Sequence, residues 1–132
     1  MKIFRLEEAN ALLPKLRPLV AELVIARRDF AIGLLEAEAA QRMQSEPHGA
    51  GRSSTLSDNA RGLQARAIAL VDEIQAYGCI VKDLDLGLLD FPALRAGQLV
   101  NLCWKMDEPL IAFWHRMDEG FASRKSLSRR RM

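Results

Sequence analysis

The chain has 132 residues, 49% hydrophobic and 27% charged, proportions that support one buried core without disulfide or metal staples. Its formal charge of +2 is unevenly spread: Arg124, Lys125, Arg129, Arg130 and Arg131 lie at the end, and taking those five from 19 basic residues leaves 14 against 17 acids, a body at −3. Such a body argues against a nucleic-acid-binding face, no apolar run approaches the ~18 residues of a membrane span, and Glu7 and Glu8 arrive too early for a secretion signal, so the expected setting is the cytoplasm.

Phe4-Arg5-Leu6 reads as a short extended piece leading into a helical turn over residues 7–13. Pro14 and Pro18 lack a backbone donor and crowd the preceding turn, so a short helix, a break near Pro14 and then a long helix are expected. In the long helix Leu16, Leu19, Leu23, Ala26, Phe30, Gly33, Ala37 and Ala40 recur at gaps of three and four, the spacing of a seam that faces a partner helix. Residues 46–57, with Pro47, Gly49, Gly51, Ser53 and Ser54, have the composition of a loop. A second helix then starts near Ser57-Asp58, either of which could cap it, and ends at Gly78; Leu56, Ala60, Leu63, Ala67, Leu70, Ile74 and Tyr77 repeat the same spacing. The two helices should form an antiparallel hairpin. At about 1.5 Å per residue it would outreach a sheet only about 20 Å across. A second apolar stripe, Leu13, Val20, Val24, Ile32 and Leu35, is wider than one partner helix can cover; the sheet should bury one end of it, leaving Ile32 and Leu35 for a second copy of the chain.

After Gly78 the pattern shortens to β runs at 79–83, 88–91, 98–104 and 110–116, with turns at 85–87, 92–97 and 106–109. The expected fold class is therefore α+β: a long antiparallel two-helix hairpin followed by a small antiparallel meander of three to four strands, with residues 1–124 as one domain and 125–132 as a disordered basic tail. On the strands, Val100, Leu102 and Trp104 share one face and Asn101 and Cys103 the other; Ile111, Phe113 and His115 lie opposite Ala112 and Trp114.

Cys79 and Cys103 stand without a CxxC spacing or neighbouring histidines, the arrangement of two buried free thiols, and no metal site is indicated. His115, at a strand end near Asp118, Glu119 and Arg124, has the chemistry of a general base, a metal ligand or a hydrogen-bonded structural residue. Asp83, Asp85 and Gly87 with nearby Asp90 echo the opening of a calcium loop, but position 94, where the loop needs a bidentate Glu, is a leucine, so a hairpin turn is the better reading. If the strands carrying Trp104 and Trp114 are neighbours, a cleft floored by tryptophan and rimmed by Lys105, Glu108, His115 and Arg124 would suit a planar or anionic small molecule; core packing explains the tryptophans equally well. No nucleophile elbow, phosphate loop, dinucleotide fingerprint or metalloprotease helix occurs, so an enzymatic role is left open and no cofactor is identified.

Phe4-Arg5-Leu6-Glu7-Glu8-Ala9-Asn10-Ala11-Leu12-Leu13-Pro14-Lys15-Leu16 together with Gly78 to Asp83, Gly87-Leu88-Leu89-Asp90-Phe91-Pro92, Leu102-Cys103-Trp104-Lys105, Glu108, Trp114-His115 and Gly120-Phe121 resembles a bacterial family of uncharacterised proteins, domain of unknown function 2203. The resemblance spans the chain up to the tail and implies no activity, cofactor or substrate. It does place Asp83, Asp90, Trp104, Glu108, His115 and Arg124 in the family pattern. Two positions depart from that pattern: Asp107 stands where the turn usually has Gly, and Arg124-Lys125-Ser126-Leu127 replaces Arg-x-Pro-Leu, which implies a different hairpin turn and a less fixed tail.

Three functional readings follow. The first is a module that self-associates or binds a protein through the long helices. The second is a small-ligand-binding protein or enzyme using the Trp104, Glu108, His115 and Arg124 cluster. The third, ranked last, is a polyanion-binding tail.

Overall fold

Two rows of apolar side chains zip together in the computed structural model, which describes residues 1–43 and 49–128 and, of residues 49–54, the backbone alone. The rows belong to α1 (Leu6–Arg42) and α2 (Gly49–Gln75). Leu16, Leu23, Ala26, Ala37 and Ala40 of the first are buried with Ala60, Leu70 and Ile74 of the second, and the remaining members of both rows are half-buried. Small residues let the helices close: a Cβ on Gly33 would stand 3.7 Å from the Ala60 Cβ. At the solvent edge Arg66 donates to Glu22 across the pair at 2.6 Å.

Both helices exceed their expected bounds. No break occurs at Pro14; α1 runs through it and through Pro18. The two prolines are four residues apart on the water-facing side and both are exposed, so the carbonyls they leave without an amide partner face solvent rather than core. At the other end, Ser57 and Asp58 do not cap α2 but lie inside it, with Asp58 paired to Arg61 one turn on. Glycine and serine cost a helix up to about 1 kcal/mol each, a bias that tertiary structure overrides. α2 therefore takes residues 49–57 of the expected loop, and the rest of it, residues 46–48, lies outside those described. The exit is as expected: Gly78, at φ 104°, closes the last turn by donating to the Gln75 carbonyl.

The sheet is an antiparallel meander in sequence order, β1 (Ile80–Asp83), β2 (Leu88–Arg95), β3 (Gln98–Lys105), β4 (Phe113–Arg116) and β5 (Lys125–Ser126). It has five strands rather than three to four, and β5 occupies the start of the expected basic tail: Lys125 pairs with Trp114 and the Leu127 amide donates to the Ala112 carbonyl, while residues 129–132 lie outside those described. The expected turn over residues 92–97 is instead mostly strand. Arg95 pairs with Gln98, and only Ala96 and Gly97 turn, at φ 52° and 81°. Two consecutive positive φ values are what a two-residue hairpin loop needs to match the strand twist. Pro92 is tolerated because its nitrogen points to the rim where β1 has ended; its carbonyl, on the same side, accepts the Phe4 amide at 2.7 Å. The last expected strand is shorter than residues 110–116, beginning at Phe113, because the Ile111 amide turns away to donate to Asn10 Oδ1 of α1.

The core lies between the sheet and the proximal hairpin. Leu89, Phe91, Ala93, Val100, Leu102 and Trp104 face Leu13, Leu16, Val20, Val24, Leu70 and Ile74 in one cluster. Ala37, Ala40 and Ala60 are buried outside that cluster, and Ile32 and Leu35 are 49% and 65% exposed, so the distal hairpin reaches beyond the sheet.

Candidate functional site

Strand alternation sends every second side chain to the face turned away from the helices, and residues directly opposite in an antiparallel pair share a face. The register sets Asp90 opposite Cys103 and Asn101 opposite His115. An outer face would ordinarily be wet, yet these four residues are only 1–3% exposed. They are covered by the segment after β4, where Glu119, Gly120 and Phe121 lead into a short 3-10 turn (Phe121–Ser123). Between this cover and β1 a cavity of about 260 Å³ remains, with Leu88, Asp90, Cys103 and His115 below and Lys82, Asp83, Glu119 and Phe121 around it.

Hydrogen bonding fixes much of the protonation. His115 Nδ1 lies 2.8 Å from the Arg116 carbonyl, which only accepts, so Nδ1 carries a proton. Nε2 is 3.1 Å from Asp90 Oδ1. One further proton therefore sits between nitrogen and oxygen, on either the imidazolium or the carboxylic acid. Burial pushes the Asp90 carboxyl above its ordinary value, partly offset by His115 and, more weakly, by Lys82 and Cys103. Burial also pushes the Cys103 thiol up to about 12, with Asp90 adding to it, so this sulfur is no free thiolate nucleophile. Asp90 Oδ2 and Asn101 Oδ1 are buried without a hydrogen-bond partner among the described residues. A buried carboxylate oxygen left bare is costly, and the cavity beside it is the place from which a partner would come.

The structure disperses the expected tryptophan-floored cleft. Trp104 faces the helices, fully buried, with its indole Nε1 donating to the Glu108 carbonyl at 2.8 Å and Arg17 over its ring at 5.1 Å. Arg17 also donates to the carbonyls of Met106, Glu108 and Pro109, fastening that turn to α1. Glu108 and Arg124 form a largely buried ion pair at 2.5 Å, with the guanidinium 3.9 Å from the Phe113 ring centre and 4.7 Å from that of Phe121. They pin the covering segment onto the sheet. Lys105 pairs with Asp107, and Trp114 stands between Arg95 and Lys125 on the helix-facing side. Asp83 is a turn residue as expected, its Oδ1 accepting from the amides of Asp85 and Leu86 at 2.8 Å each, and it also lines the cavity. Of the candidates named from sequence, Asp83, Asp90 and His115 thus meet at one cavity. Cys103, Lys82 and Glu119 were not among them. For Cys103 the available signal is its alternation with Trp104, which places it on the opposite face; Glu119 is held by Lys125 and, less strongly, by the Arg116 amide, which keep its carboxyl below the ordinary range.

Residues 2–127 match the model of a family described as an uncharacterized conserved protein (DUF2203), and the chain belongs to that family. No curated protein and no solved structure matches the chain. No helix of the described residues is long and apolar enough to cross a membrane.

Proposed function

Since membership of this family supplies no activity, we propose from the geometry that the protein binds a compact polar ligand in the outer-face cavity, with Asp90 and His115 as the recognising pair. The observation that carries this reading is the buried Asp90–His115 contact with Oδ2 left bare beside an open cavity. A buried ionisable pair is a poor stabiliser and a good binding device, because it can give or take one proton as a hydroxyl or carboxyl group docks. The cavity's 260 Å³ lies just below the usual range of roughly 300–1,000 Å³ for drug-sized ligands, which favours a small molecule. The test is a panel of small carboxylates, hydroxy acids and phosphates followed by amide and histidine-ring NMR on the full chain. Binders should shift His115, Cys103 and Gly120 and lose about tenfold or more in affinity in Asp90→Asn, consistent with removal of a charged hydrogen-bond partner. Binders that leave the His115 ring unmoved would overturn the reading.

A second reading rests on a different observation. Ile25, Ile32 and Met43 are 53%, 49% and 59% exposed along one line of α1, with Leu35 beside them at 65%. Apolar rows on a projecting hairpin suit self-association with a second copy in the cytoplasm. Light scattering at micromolar concentration should give a mass above that of one chain, and Ile32→Lys with Leu35→Lys should return it to the monomer value. A monomer at every concentration would end this reading.

A further inference from the structure

We propose that Asp90, Cys103 and His115 form a binding site for a divalent transition-metal ion of the zinc type, with its open coordination position facing the outer cavity. The inference deepens the ligand-binding reading of that cavity and rests on it. Three neighbouring strands each contribute one ligand: a carboxylate from β2, a sulfur from β3 and an imidazole from β4. One donor atom from each lies within 4.8 Å of the others. In a tetrahedral site with bonds of about 2.0–2.3 Å such donors stand roughly 3.3–3.8 Å apart, so closure needs a shift of about 1 Å, within the reach of side-chain rotation.

Three further features favour a cation here. First, His115 Nδ1 is already committed to the Arg116 carbonyl at 2.8 Å, the backing that orients a metal-bound histidine, which leaves Nε2, now turned toward Asp90, as the ligand atom. Second, Asp90 Oδ2 is buried without a hydrogen-bond partner among the described residues, and a metal ion would satisfy it. Third, the charges balance. A dication with one thiolate, one carboxylate and one neutral imidazole is neutral overall, the form that a site so little exposed can hold at least cost. Binding releases two protons to solvent, one from the Cys103 sulfur and one from the Asp90–His115 contact, and Nδ1 keeps its own. Three protein ligands and an open fourth position describe a site that works on a ligand rather than one that holds the fold, and the apolar core lies on the sheet's other face, so the protein should fold without the ion.

The test is cobalt titration of the metal-stripped full chain, followed by displacement with zinc. One equivalent of cobalt should produce a thiolate-to-metal charge-transfer band that zinc abolishes. Cys103→Ser should lose the band and Cys79→Ser keep it, since Cys79 is buried elsewhere and bonded to the Ile74 carbonyl. His115→Ala should weaken binding by more than about a hundredfold, exceeding what loss of a supporting residue does. Should the Cys103 variant misfold, the wild-type protein still decides: one zinc per chain must shift the His115 ring resonances. No cobalt band, or a band that survives in folded Cys103→Ser, overturns the metal site. If the small-molecule panel still binds at His115 in the metal-stripped protein, the cavity reading survives that failure; if neither the metal nor the panel reaches His115, both readings fall.

Discussion

Asp90→Ala or His115→Ala, made singly, should lower the unfolding free energy by about 3–5 kcal/mol, whereas Asp90→Leu with His115→Leu should leave stability near the wild-type value or above it. The asymmetry follows from burial. Each side chain is at most 2% exposed, so removing one leaves the other with a desolvated polar atom and no protein group in its partner's place. Removing both replaces a desolvated polar contact with apolar packing against Leu88 and Cys103. Urea denaturation of the four proteins checks this, read as midpoints at unchanged slope. If the double variant is as unstable as the singles, the pair is an architectural device; if it is stable, the pair is retained for something other than holding the sheet. A single variant losing less than about 1 kcal/mol would mean that water reaches the contact.

The second large effect is expected at Trp104. Trp104→Ala should cost about 3–5 kcal/mol, since it empties the largest fully buried side-chain volume. It also removes the indole donor to the Glu108 carbonyl and the ring beneath Arg17, loosening the Met106–Pro109 turn. Trp104→Phe, which keeps most of the volume and loses the hydrogen bond, should cost about 1–2 kcal/mol. Thermal or urea unfolding gives the two values. Binding at the outer cavity should change less than about twofold in either folded variant, because Trp104 and Cys103 point to opposite sides of β3. A folded Trp104→Phe that no longer binds there would show the two faces to be energetically joined.

The helical seam was legible because its information is local and periodic: Leu16 to Ala40 and Leu56 to Tyr77 announce their partner by spacing alone. What escaped was decided elsewhere in space. Pro14 reads as a break until one knows that it faces water, and Pro92 reads as a turn until one knows that β1 ends before reaching it. The 3.6-residue period could not say that Gly49 to Ser54 would join α2, since those residues carry little apolar signal. The site was partly legible for a related reason. Asp90 and His115 attract notice as isolated polar residues in strands, but Cys103 joins them only through cross-strand register, which leaves no spacing motif. Trp104 and His115 are near in sequence but point to opposite faces of the sheet, which only the pairing of Asn101 with His115 reveals.

The contact between Phe4 and the far half of β2 has a consequence for the protein's behaviour at high concentration. A strand whose neighbour stops short leaves a bare ladder of donors and acceptors, on which another chain can add itself and begin a fibre. Here Pro92 deletes one of those donors and the Phe4 amide occupies the matching acceptor. Those two residues spoil this stretch of rim as a template, so edge-to-edge addition along it is disfavoured.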